Sequence, residues 1–418
     1  MSPDLFIGVD LGTTGARAVV IDVNGNQRST FKAALSDFGT NPRDPQIWWR
    51  ATSAALNGAL LKVDRKRVAA LAIDGTSGTM LAVDKIGMPL ADGLMYNDTC
   101  QDATILDIVA RHAPQTSAAN GPTSGLAKAL LLQSLGGAKL LHQADWIAWH
   151  FSGRMISDAN NALKTGYDPV LGEWPAWIAA TDLDIALLPE VVEPGTLVGN
   201  ITPAAASTFG LSNQTKIIAG TTDGCASFVA TGATLAGEGV TAIGTTLTLK
   251  ILSDRPIFAP EFGIYSHRIL GNWLAGGASN SGGSALLAHF SVAEIDALTP
   301  TLVPDQPTGL NYYPLPKPGE RFPIVDPKLA SRTTPRPSSD AIFLQGLFEG
   351  IAGIEALGFA RLAELGAPAL RSVRSLGGAA NYNAFNTIRA RMLKVPMLTA
   401  KSADAAFGTA LIAQRGAV

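Results

Sequence analysis

Residues 6–22 read FIGVDLGTTGARAVVID, and the reading of this stretch decides the fold. An apolar run, Phe6–Val9, ends in an acid, Asp10. Gly12-Thr13-Thr14-Gly15 follows, and then a second apolar run, Ala18–Ile21. Short apolar runs separated by small turn residues predict a strand, a tight turn and a strand. Far downstream, residues 240–251 read VTAIGTTLTLKI, which is strand, Gly244-Thr245-Thr246, strand. Two such hairpins in one chain imply two similar α/β half-molecules facing each other across a nucleotide.

The bulk numbers fit that picture. The 418 residues are too many for one ordinary core, so two domains are expected. A composition of 47% hydrophobic and 16% charged residues describes a compact globular chain. A formal net charge of −2 gives no electrostatic draw toward nucleic acid or an acidic membrane surface. The N-terminus lacks a basic segment followed by a long apolar one, so no signal peptide is expected. The best candidate span, around Leu126–Leu141, carries Lys128 and Lys139 and reads as a core helix. The two cysteines, Cys100 and Cys225, lie far apart, which predicts a reduced cytoplasmic protein without a disulfide framework. The five histidines show no ligand spacing.

Along the first half, Pro45–Leu61 reads as an amphipathic helix started by Asp44-Pro45. Val68–Asp74 reads as a buried strand ending in Asp74-Gly75-Thr76-Ser77-Gly78, with Thr79–Asp84 as its partner. Leu126–Leu135 and Lys139–Ser152 have helical spacing, and residues 156–161 read as a loop over a cleft. Lys216–Gly220 is a strand, and Asp223 stands where it meets a helix. The boundary is expected near 230–240, giving domains at 1–230 and 231–402, with 403–418 as a helix packing back near the junction. In the second half, residues 303–338 hold nine prolines and read as a surface excursion with short strands. Asp340–Leu365 is a long helix, Ser372–Leu376 a strand, Gly377-Gly378-Ala379 a tight turn, and Tyr382–Leu393 a helix.

The motifs carry chemistry, each beside a plainer reading. Gly12, Thr13, Thr14 and Gly15 let backbone N–H groups and hydroxyls converge on phosphate oxygens, and Asp10 can serve Mg²⁺. An ordinary hairpin with small turn residues is the alternative. Asp223 can accept the proton of a sugar hydroxyl, or cap its helix, or do both. Gly377-Gly378-Ala379-Ala380-Asn381 permits close approach of a base or ribose, or is a strand-to-helix turn capped by Asn381. Thr76, Ser77 and Asp98 can hydrogen-bond a polyol or merely shape turns. Trp48 and Trp49 are left outside the site, as is Cys225, which reads as a small buried residue.

In this order, IGVDLGTTGARAVVID, LAIDGTSGTMLAVD, MYNDTCQDA, IIAGTTDGCASFVATGA, AIGTTLTL, SLGGAANYNAFNTIRA and DAAFGTALIA resemble the FGGY carbohydrate kinases of the actin/hexokinase/Hsp70-like ATPase superfamily. The short length and the MYND segment look most like the compact D-ribulose and D-xylulose kinases of cyanobacteria and plant plastids. The resemblance implies two RNase H-like domains around a central nucleotide and sugar cleft. It implies ATP and Mg²⁺ as cofactors, with a small sugar as the partner, in a monomer or homodimer away from membrane and nucleic acid. Asp10 would serve the metal, the sugar and the phosphate region. Gly12, Thr13, Thr14 and Gly15 would face the γ-phosphate, and Gly244, Thr245 and Thr246 would form the second phosphate loop. Gly377, Gly378 and Ala379 would lie against adenosine, with Asn381 nearby. Asp223 would be the general base, and Thr76, Ser77 and Asp98 would be on the sugar side. The expected reaction is γ-phosphate transfer to a terminal hydroxyl of a ketopentose, D-ribulose before D-xylulose. A non-catalytic sugar- or nucleotide-binding regulator, and an ATPase acting on protein partners, are the rivals. Two departures stand out. Many larger members have Trp-x-Asp-x-Arg where this chain has Tyr96-Asn97-Asp98-Thr99-Cys100, and their lysine-aromatic-x-Trp signature is Lys128-Ala129-Leu130-Leu131 here.

Overall fold

The computed structural model describes residues 4–418. They divide into two compact units. The first takes the chain to Ala230 together with His267–Gly271 and Asp404–Val418, and the second takes Thr231–Ser266 and Asn272–Ala403.

In the first unit the strands are β1 (Leu5–Leu11), β2 (Gly15–Asp22), β3 (Gln27–Ala34), β4 (Val68–Gly75), β5 (Met80–Val83), β6 (Lys139–His142), β7 (Ile156–Asp158), β8 (Glu190–Val192), β9 (Leu197–Asn200) and β10 (Lys216–Thr222). The main sheet runs β3-β2-β1-β4-β10-β9. Strands β1, β4 and β10 are mutually parallel, and the other pairings are antiparallel. The parallel strands are apolar almost throughout because both faces are covered. Ile7, Val9 and Leu11 share a core with Ile47, Trp48, Ala51 and Leu56 of the helix Pro45–Leu60. That helix starts on Asp44, whose carboxylate accepts the Gln46 N–H at 2.8 Å.

Successive strand residues alternate faces, so Gly8 and Asp10 point away from that core. Here the C-terminal helix Ala405–Gly416 lies directly on the strand. A Cβ on Gly8 would stand 2.1 Å from the Ala406 carbonyl oxygen and 2.2 Å from the Ala410 nitrogen. On the same helix, a Cβ on Gly408 would stand 1.9 Å from the Ala226 carbonyl oxygen of the helix Asp223–Ala230. Backbone meets backbone on both sides of this helix, and only glycine permits it.

The second sheet holds β11 (Glu238–Ile243), β12 (Leu247–Ser253), β13 (Tyr265–Ile269, whose last three residues count with the first unit), β14 (Asn272–Ser279), β15 (Ser372–Leu376) and β16 (Met397–Leu398), in the order β13-β14-β12-β11-β15-β16. Strand β11 pairs antiparallel with β12 and parallel with β15, as β1 does with β2 and β4. The repeated hairpin therefore heads a repeated five-strand topology. The helix Asp340–Glu364 has the length and composition to cross a membrane, but 78% of its most apolar window is buried. It also carries the buried Glu349 and Glu355, which mark it as a core helix.

Several sequence expectations change. Thr79–Asp84 was to pair with the strand before it, but Met80–Val83 pairs with Lys139–His142. The start of the expected helix at 139 is thus a strand, because β5 needs a partner; the helix begins at Gln143. Residues 156–161 are buried, forming β7 and a short helix rather than an open loop. Strand β3 is the third strand ahead of the first helix, and its mostly polar, exposed residues obscure the strand period in the sequence. The proline-rich stretch 303–338 has isolated bridges, Tyr313 to Arg332 and Glu320 to Asp326, in place of strands. Trp48 is wholly buried and Trp49 half-buried against the His150 ring, so neither is a sugar platform.

Two stability outcomes follow from this packing. Gly8→Ala should lower stability by about 3 kcal/mol, the upper end of the usual overpacking cost, read as the midpoint of urea unfolding. His142 on β6 is fully buried, with Nδ1 unbonded, and burial together with Lys128 pushes its pKa down to about 3. The unfolded chain takes up that proton below its ordinary value of 6.5 while the folded chain does not. Stability is then complete above that value and is lost as pH falls from there toward 3, by about 2 kcal/mol at pH 5. His142→Gln should flatten this part of the stability-against-pH curve.

Candidate active site

The parallel strands of the first unit bring acids together at their carboxyl ends, where open α/β sheets bind ligands. Asp10 on β1 is the register partner of Asp74 on β4, and Asp74 is in turn the partner of Thr221 on β10. Asp223 follows as the first residue of its helix, where its carboxylate accepts the Gly224 N–H at 2.6 Å. Asp404 caps the C-terminal helix and is bound by Arg17 at 2.5 Å.

Burial raises Asp10 to about 6, a hydrogen bond from Asp74 opposes that, and the charges of Asp223 and Asp404 add to it. Asp74 is fully buried and lies well above the ordinary carboxylate range, through burial first and the Asp10 charge second. Two carboxyls joined by a hydrogen bond need one proton, and Asp74 keeps it. The Thr409 hydroxyl of the C-terminal helix donates to Asp74 Oδ2. Sequence reasoning missed Asp74. Its signal was an acid at a strand end, in the same position as Asp10.

The turn Gly12-Thr13-Thr14 is closed by Gly12 N–H donating to the Gly15 carbonyl at 3.0 Å, and both threonines are exposed. Gly15 is fixed by packing, since a Cβ there would lie 2.5 Å from the Ala33 oxygen. Among the described residues no three His, Cys, Asp or Glu side chains converge as a metal cage. The donor set still suits Mg²⁺, a hard cation bound through one or two carboxylates with phosphate and water completing the shell. Asp10, crowded by negative charge, is the group that a cation would relieve.

The sugar-side residues form a second cluster in the same unit. Thr76 donates its backbone N–H and its hydroxyl to Gln143 Oε1 at 3.2 and 2.8 Å. Thr79 Oγ1, 2.6 Å from Thr76 Oγ1, must then donate to it, and it accepts the Tyr96 N–H at 3.0 Å. Ser77 Oγ and Gln143 Nε2 are buried and unbonded. Asp98 is held by Nη1 and Nη2 of Arg43, the latter at 2.7 Å, and by the Met95 N–H. Burial alone would raise Asp98, but Arg43 and Met95 outweigh it and hold the carboxyl below its usual range. Cys100 is buried in an apolar cluster with Val109 and Leu126, so no clamp comes from that position. The guanidinium on Asp98 comes instead from Arg43, ahead of the helix Pro45–Leu60, which sequence spacing gave no reason to select.

In the second unit, Gly244-Thr245-Thr246 joins β11 to β12. The Gly244 carbonyl accepts Gly283 N–H at 2.8 Å, and the Thr245 carbonyl accepts the Ser284 hydroxyl at 2.7 Å. A Cβ on Gly244 or Gly378 would meet nothing within 4 Å, so packing does not require glycine at either place. Gly377 and Gly378 line a cavity of about 610 Å³ with Ser375, Asn381, Asn386 and Thr399, and Ala379 is buried just behind them. Its size is that of a small-molecule pocket. The alternative reading of Asn381 as a helix cap does not hold. Tyr382 takes that position, and Asn381 faces the cavity. Below lies a fully buried ion pair, with Arg389 Nε and Nη2 each 2.7 Å from the Glu355 carboxylate. Arg389 also donates to Ser375 Oγ and Asn386 Oδ1, fixing two lining side chains.

Comparison with known proteins follows the same division. Residues 5–121 and 129–230 match the N-terminal domain of the FGGY family of carbohydrate kinases, and residues 239–417 match its C-terminal domain. The chain is 25% identical over 286 residues to a xylulose kinase of Klebsiella pneumoniae, covering 64% of this chain and 59% of that one. The chain thus spans under two thirds of the length of the curated relatives that head the comparison. Among solved structures, a "xyloylose kinase" from Brucella ovis aligns with TM-score 0.86 and 23% identity over 99% of this chain and 90% of that one. A gluconate kinase from Lactobacillus acidophilus aligns with TM-score 0.81 and 19% identity over 99% and 89%. These identities speak for the fold, which is of the RNase H-like, actin/hexokinase type in both units. With family models matching nearly its whole length, the chain belongs to the FGGY family of carbohydrate kinases.

Proposed function

We propose that this chain is an ATP-dependent sugar kinase that transfers the γ-phosphate to a terminal hydroxyl of a ketopentose. The observation that carries the reading is the gathering of Asp10, Asp74 and Asp223 at the ends of adjacent parallel strands. Asp223 takes the proton of the sugar hydroxyl as the new P–O bond forms. Thr13 and Thr14 in the first loop, and Thr245 and Thr246 in the second, hold phosphate oxygens through backbone N–H groups and hydroxyls, while Gly244, whose N–H donates to the Thr246 carbonyl at 3.1 Å, shapes the second loop. Asp10 would hold Mg²⁺, whose charge neutralises the transferring phosphoryl group when bound. Gly377, Gly378, Ala379 and Asn381 receive the adenosine. Thr76, Ser77 and Asp98 bind the sugar, a role supported by the unbonded Ser77 Oγ and Gln143 Nε2 beside them. Buried polar atoms without partners are rare, and an oxygen-rich ligand supplies what they lack.

D-Ribulose and D-xylulose differ only in the orientation of one hydroxyl. The MYND segment favours D-ribulose and a likeness to the compact cyanobacterial and plastid kinases. The name of the Klebsiella relative favours D-xylulose. ADP release with Mg-ATP and D-ribulose, D-xylulose, L-ribulose, L-xylulose, glycerol or no sugar separates them. Turnover with one pentulose far above the sugar-free rate is the expected result. Equal release with and without every sugar would replace the kinase reading with an ATPase, and sugar binding without ADP release would replace it with a regulator.

Two variants test the assigned roles. Asp223→Asn should lower turnover by roughly 10²–10⁴-fold with the fold intact, the usual worth of a general base; near-normal turnover would remove Asp223 from the chemistry. Gly378→Ala should unfold within about 0.5 kcal/mol of wild type, as surface changes do, yet raise the KM for ATP. An unchanged KM would move the nucleotide away from this turn.

A further inference from the structure

Lys128 is 1% exposed, on the helix Gly125–Gln133. Desolvating an ammonium is costly, and such groups are normally paired with a carboxylate. This one is bound to backbone alone. Its Nζ donates to the carbonyls of Gly78 at 3.0 Å, Tyr96 at 3.0 Å and Thr123 at 2.8 Å. An ammonium has three N–H donors, so the set is complete. The carbonyls belong to three separate segments: the turn after β4, the loop 95–99, and the turn ahead of the lysine's own helix. Two of these segments hold Thr76, Ser77 and Asp98. The Asp98 charge acts on Lys128 from one of them. The same two segments are tied again by Tyr96 N–H on Thr79 Oγ1.

We propose that Lys128 is the positioning residue of the sugar subsite. By drawing three carbonyls onto one ammonium, it fixes the Gly75–Thr79 turn and the loop through Tyr96 and Asp98 in the single arrangement that meets a small polyhydroxylated acceptor. The proposal rests on the kinase reading above. The helix alone has no need of a charge there: Ala127, Ala129 and Leu130, around it, are buried and apolar. The ammonium serves the loops.

The test is Lys128→Met, which keeps an unbranched chain and removes all three donors. Sugar KM, ATP KM and amide hydrogen exchange across residues 75–80 and 94–99 are measured on the full chain. The expected result is a rise of about tenfold or more in sugar KM, since one lost bond of this kind already amounts to that factor. ATP KM should stay within about twofold, with faster exchange in both segments. An unchanged sugar KM, or sugar and ATP KM rising together, would overturn the proposal. If the variant does not fold, the wild-type enzyme carries the test. Burial lowers Lys128 to about 8. The facing groups are Asp98, held below its usual range, and His142, lowered to about 3, and neither titrates in alkaline solution. Sugar KM should therefore climb above about pH 8 while ATP KM stays level. A level sugar KM through pH 9.5 would overturn the proposal. Absence of sugar-dependent turnover in the wild type is a different failure, which would remove the kinase reading and the sugar subsite with it.

Discussion

The first unit depends on a backbone contact that no side chain mediates. The C-terminal helix is pressed between β1 and the helix Asp223–Ala230 at distances that only Gly8 and Gly408 allow. From this seat the helix supplies Thr409 to Asp74 and Asp404 to Arg17, while the neighbouring helix begins with Asp223. A side chain at either glycine would force the helix off its seat and carry Thr409 and Asp404 with it. The close contact and the acid cluster are therefore one feature, because the cluster's geometry is inherited from the packing.

Electrostatics then divides the labour among the acids. Asp74 sits deepest and keeps its proton, so it can bind Asp10 as a hydrogen-bond donor and add no charge to the site. Asp10 is left as a carboxylate whose affinity for protons is raised, to about 6, by burial and by its neighbours. Groups strained toward protonation gain most from a cation. The second unit solves the opposite problem. Its buried pair, Glu355 and Arg389, is internally neutral and spends its remaining donors on Ser375 and Asn386, so charge is cancelled beside the cavity at Gly377 and Gly378.

Much of this was legible in the sequence, for identifiable reasons. The Gly-Thr-Thr turns, the strands before them and the duplicated layout are local patterns, and local patterns survive in one dimension. Asp10 and Asp223 stand at strand ends, where an acid is conspicuous. Asp74 escaped although it stands at a strand end like Asp10; the rest of what escaped was non-local. Arg43 reaches Asp98 across 55 positions, and Thr409 reaches Asp74 across 335. Lys128 looked like a charge interrupting an apolar helix, when its partners are carbonyls, which every residue possesses and no sequence advertises. The pairing of β5 with β6 escaped for the same reason, since a short apolar run does not state which strand it will join.

The position of the C-terminal helix also sets an order of assembly. It belongs to the first unit, yet it follows the whole of the second in the chain. During synthesis the first unit must wait, with the far face of β1 bare, until more than 170 intervening residues have left the ribosome. Until then Asp74 lacks its Thr409 partner, and Arg17 lacks Asp404. The acid site is consequently the last part of the first unit to form, and a nascent chain that already has its sheet does not yet have its chemistry.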